Sequence, residues 1–137
     1  MADRAVRACF HAAFWLSLSA CTWLALVPTP PAALGGISHV IQHGAAFAWL
    51  AFAIRFAFAR LGPGAAGLWM LGYGALLEVV QALGGVRVGE LGDLAVDAAG
   101  ILIGLGAYRL VGASVRTAVE RAVRSLVTSN DRPSTGL

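Results

Sequence analysis

His43, Glu78, Gln81, Arg87, Asp93 and Asp97 carry the acid, base and hydrogen-bonding chemistry of a chain that otherwise avoids such groups. Glu78 and Gln81 are three residues apart and Asp93 and Asp97 four apart, so on helices each pair shares a face. Carboxylates so placed accept hydrogen bonds from amines and hydroxyls. An imidazole serves as general base or metal ligand, and a guanidinium grips an anionic group or a carboxylate. An enzyme needs, besides these, a nucleophile or an activated water beside an acid–base pair. Ser38 adjoins His39, but neighbours in sequence do not make a dyad, and there is no GxSxG, HExxH or phosphate-cradling motif. Cys9 and Cys21 lie three turns apart in one apolar stretch, too far for a disulfide, and no CxxC or zinc spacing occurs. The residues therefore predict a polar network for binding or for structure, with no catalytic residue, metal or cofactor. Hydrolysis at a carboxylate-held metal is the one chemistry left open.

These groups must be positioned by membrane helices. The 137 residues are 58% hydrophobic and 12% charged, with mean hydropathy +0.76, where a soluble domain carries roughly 25% charged residues. A bilayer core of about 30 Å takes roughly 20 helical residues, and four stretches qualify: Ala8 to Val27, His43 to Arg60, Ala65 to Leu83 and Leu91 to Val111. The expected fold is one all-α transmembrane domain spanning residues 1–137. "SVRTAVERAVRSLV" adds a short amphipathic helix at about 113–127, lying on the membrane surface or extending span four, and 128–137 form a disordered tail.

The net charge of +3 is carried by arginine alone, for the chain has no lysine. Nine arginines, Arg4, Arg7, Arg55, Arg60, Arg109, Arg116, Arg121, Arg124 and Arg132, fall on one side of a four-span serpentine. The positive-inside rule then puts both termini in the cytoplasm, with the chain in the inner membrane. The basic balance thus encodes orientation and implies the lipid bilayer, not nucleic acid, as partner. "LSAC", Leu18 to Cys21, has the look of a lipoprotein cleavage box, but the apolar run continues through "TWLALV" as a spanning helix does.

In this topology His39 and His43 enter span two, Glu78 and Gln81 leave span three, and Asp93 and Asp97 enter span four at one extracytoplasmic depth. A carboxylate at the bilayer centre costs about 2.5 to 3.5 kcal/mol, so clustered acids call for an explanation. Arg87, on the glycine-rich loop before Glu90, is the nearest cation, and one arginine cannot neutralise four acids. The rest must be hydrated, protonated, met by a histidine or matched by a bound cation or cationic ligand group. Gly100 and Gly104 continue the Asp93 and Asp97 stripe as a small-xxx-small packing pattern.

"HVIQHGAAFAWLAF" followed by "YGALLEVVQALGGVRVGELGDLAVDAAGILIG" resembles the VanZ-like membrane proteins, named for a component associated with teicoplanin resistance. The resemblance covers about 38–106. It rests on His43, the E-x-x-Q of Glu78 and Gln81, Arg87, and the run of Asp93, Asp97, Gly100 and Gly104. Family members often carry an Asp-Lys pair before the histidine, where this chain has His39 and Val40. The resemblance supplies a family and a site more than an activity; the polar cluster itself is read as that of a noncatalytic envelope protein that binds or shields a lipid headgroup, cell-wall precursor or glycopeptide. A scaffold whose polar cluster only holds helices together is the other reading; a metal-dependent hydrolase and a small transporter subunit stand behind it. A homo-oligomer is compatible with both main readings.

Overall fold

The computed structural model describes residues 2–27, 36–84 and 91–130. They form four helices: α1 (Ala2–Leu26), α2 (His39–Ala57), α3 (Pro63–Leu83) and α4 (Leu91–Asn130). All four are long and apolar enough to cross a membrane, and the chain is a multi-pass membrane protein.

Local chemistry sets the ends. Ser38 is the N-cap of α2, its Oγ accepting from the Ile41 N–H at 3.5 Å, so α2 begins one turn earlier than the expected His43. It also stops earlier than Arg60: Phe58 leaves helical geometry while its N–H closes a last bond to the Ile54 carbonyl at 2.8 Å. Pro63, whose missing N–H costs nothing at the first helical position, opens α3 behind Gly62. Gly84 closes it with an N–H bond to the Val80 carbonyl at 2.9 Å.

The 113–127 stretch is helical as its spacing predicts, but it is not a separate element. It continues α4 without a break to Asn130, because no proline interrupts the backbone ladder there. At 1.5 Å per residue the 40 residues of α4 run about 60 Å, twice a bilayer core. The far half runs beside α1: Arg124 Nη2 lies 3.5 Å from Asp3 Oδ1, an exposed pair worth little stability, and the Arg116 guanidinium sits 5.7 Å from the Phe10 ring centre. Of the expected disordered tail, 128–130 belong to α4 and 131–137 lie outside the described residues.

The chain runs up and down. The start of α1 meets the far end of α4, while its last turn meets the end of α3, where Gln81 reaches Ala25. α2 and α4 therefore run parallel, both starting at the end where α1 and α3 finish. α2 is the most enclosed helix. Phe47, Leu50, Ala51 and Ile54 of α2 pack with Phe14 of α1, Ala66, Met70 and Leu77 of α3 and Ile101 of α4. Leu68, Trp69, Leu102, Ile103 and Leu110 face outward and form the lipid-contacting skin.

Candidate functional site

The seam between α2 and α4 organises the polar residues. On α2, His39 and His43 are four apart; on α4, Asp93 and Asp97 are four apart; and parallel helices bring equal spacings into register. His43 Nδ1 lies 3.0 Å from Asp97 Oδ1, and His39 Nδ1 lies 3.6 Å from Asp93 Oδ2, with the two imidazoles 4.3 Å apart between ring centres. An ionised Asp97 carboxylate accepts this bond from the His43 Nδ1–H.

Just beyond these rungs the backbones touch. A Cβ on Gly100 would run into the Gly44 carbonyl, and one on Gly104 into the Ala48 carbonyl. Gly44 and Ala48 thus oppose Gly100 and Gly104 as a small-xxx-small pair, and this closeness draws the imidazoles onto the carboxylates.

Asp97 is the most enclosed ionisable group among the described residues, with 1% of its surface exposed, while the His43 side chain is 11% exposed. One oxygen is used by His43. The other, Oδ2, is buried and makes no hydrogen bond among the described residues. It lies against Gly74 of α3, where a Cβ would sit 2.8 Å away and would also press the Phe47 ring at 3.1 Å. Phe47 and Tyr73 close the inner side, their rings 5.8 Å apart, and the Tyr73 hydroxyl is tied to Thr22 Oγ1 of α1 at 2.7 Å. Glu78, half-buried one turn beyond Gly74, joins Asp93 and Asp97 in the negative field acting on His43.

Gln81 takes a different direction. It is 2% exposed, and its amide donates to the Ala25 carbonyl at 2.9 Å, satisfying one of the unpaired carbonyls that end α1. Its neighbour is thus α1, not the His43–Asp97 pair. Gln81→Leu is expected to lower stability by about 1 kcal/mol by stranding that carbonyl, measured by thermal unfolding in detergent; an unchanged midpoint would mean the bond contributes nothing. Arg87 and Glu90 lie outside the described residues.

Spacing alone did not single out His39 as the partner of Asp93, nor Gly44 and Ala48 as the partners of Gly100 and Gly104. The signal was present: His39 and His43 repeat the spacing of Asp93 and Asp97, and the two small residues follow within a turn.

Donor atoms of His39, His43 and Asp93 lie within 4.8 Å of one another, so this trio is where a metal could be held. Tetrahedral zinc donors at 2.0–2.1 Å stand roughly 3.4 Å apart, so the side chains would have to draw inward. Asp97 on His43 Nδ1 would then be the carboxylate that orients a ligating imidazole. Without a metal, the same groups offer hydrogen-bond acceptors and negative charge to an amine or hydroxyl. No family model, curated protein or solved structure matches the chain.

Proposed function

We propose that this is a VanZ-like protein of the inner membrane, with cytoplasmic termini, which binds or shields an envelope ligand at the end where α2 and α4 begin. The observation that carries the reading is Asp97: a carboxyl 1% exposed, with one oxygen held by His43 and the other without a hydrogen bond among the described residues. Such a group is costly in a bilayer, and ionisable residues placed there are functional by default. The orientation is supported by the eight described arginines, Arg4, Arg7, Arg55, Arg60, Arg109, Arg116, Arg121 and Arg124, which all belong to the opposite end of the bundle. The ligand class we put forward, a lipid headgroup, cell-wall precursor or glycopeptide, is one whose amines and hydroxyls suit the acidic groups.

Thermal unfolding of the purified protein with teicoplanin, a lipid-linked cell-wall precursor or a phospholipid headgroup tests this. A ligand at a hundred times its Kd stabilises the wild type by about 2.7 kcal/mol. Asp97→Asn and Arg87→Ala, still accumulating in the membrane, are expected to lose that gain. A wild type that none of the three ligands stabilises would overturn the proposal. The scaffold reading is favoured by the Gly100 and Gly104 contacts on the same seam, and it gains if both variants fail to accumulate.

A further inference from the structure

A second polar feature lies at the other end of the bundle. Arg55 is sixteen residues beyond His39 on α2, and Arg109 sixteen beyond Asp93 on α4, which is about 24 Å along either helix. At that depth an open cleft of about 370 Å³ is lined by Arg55, Pro63, Tyr108, Arg109 and Arg116 together with small and apolar residues. Among the described residues no carboxylate lines it. The Arg55 guanidinium stacks 5.0 Å from the Tyr108 ring centre, and its Nη1 is buried with no hydrogen-bond acceptor among the described residues. Three arginines line one space, and among the described residues at least one donor there, Arg55 Nη1, lacks an acceptor.

We infer that this cleft binds the phosphodiester of an anionic phospholipid. A phosphate supplies acceptors in the geometry that guanidinium groups match, and one net negative charge answers the uncompensated arginines. The depth is that of headgroups, because the cleft lies roughly one bilayer core away from the His39–Asp93 rung. Basic pockets between transmembrane helices on the cytoplasmic side bind such headgroups. Leu102, exposed on α4 about 10 Å from Arg109 towards the bilayer centre, offers an apolar surface for the acyl chains. A zwitterionic lipid brings a cationic choline into the same field and is disfavoured. Cleft and polar cluster share no residue, so either can fail without the other.

Native mass spectrometry of the full chain, released from micelles doped with phosphatidylglycerol, phosphatidylcholine, glycerol phosphate or inorganic phosphate, measures the preference. Phosphatidylglycerol is expected to be retained at least tenfold better than phosphatidylcholine. Removing two charge-assisted hydrogen-bond donors from the cleft, Arg109→Gln together with Arg116→Gln should weaken it by more than tenfold. These positions are exposed and half-buried, so the fold should survive; an unchanged thermal midpoint verifies it. Arg60→Gln, exposed at the same end but outside the cleft, should change retention less than twofold. Equal retention of the two lipids, or an Arg60→Gln loss as large as that of the double variant, would overturn the site. Glycerol phosphate or inorganic phosphate binding as tightly as phosphatidylglycerol would show a soluble anion to be the ligand, and would overturn the lipid assignment.

Discussion

Gly104→Ala is expected to destabilise the bundle by about 3 kcal/mol, the upper part of the usual range for overpacking. The added methyl meets the Ala48 carbonyl, a backbone group that cannot rotate away, so α2 and α4 must separate. Separation lengthens the seam at both rungs and loosens His43 from Asp97, so any binding at the site should weaken together with stability. Gly100→Ala, aimed at the Gly44 carbonyl, should behave alike. The contrast is Gly72→Ala on α3, where a Cβ meets nothing within 4 Å. Alanine there removes only the entropic penalty of glycine in a helix, so it is expected to be neutral or stabilising by up to about 1 kcal/mol. Reversible unfolding in mixed micelles measures all three. Equal midpoints for Gly104→Ala and Gly72→Ala would mean that α2 and α4 do not meet on this seam.

The spans were legible because hydrocarbon imposes length and composition on any helix that crosses it, and the spacing of Asp93 to Gly104 marks one face of one helix whatever its partner is. What spacing within a helix does not carry is the partner. Alternate spans of a serpentine run parallel, so the common depth of His43 and Asp97 was legible, but that they touch requires α2 and α4 to pack directly on each other, which the serpentine leaves open. Gly44 and Ala48 were obscured for the same reason: small residues are common throughout α2, and only the contact with Gly100 and Gly104 tells which of them matter. Gln81 shares the Glu78 face, yet a helix face is wide enough to touch two neighbours, and the open carbonyl at the end of α1 claimed it. The unbroken course of α4 past Val111 was underdetermined because a surface-lying helix and a straight extension demand the same pattern of Val, Ala and Arg.

Removing one member of the His43–Asp97 pair is expected to cost more than removing both. His43→Leu leaves the Asp97 carboxyl buried with neither oxygen hydrogen-bonded among the described residues, and a broken buried pair costs about 3–5 kcal/mol. Asp97→Leu strands an imidazole that is slightly more exposed and should cost about 1–3 kcal/mol. In the double variant two apolar side chains of similar volume face each other between Phe47 and Gly74, and the cost should fall to within about 1 kcal/mol of wild type. A double-mutant cycle in unfolding free energy reads the coupling directly. Additive single effects would mean that the 3.0 Å contact carries no energy. The stable double variant also separates the two readings of the cluster, because it keeps the helices together while deleting the polar chemistry. If the pair serves only assembly, that variant retains the cellular role of the protein. If the pair belongs to a ligand site, the variant accumulates normally and is inert.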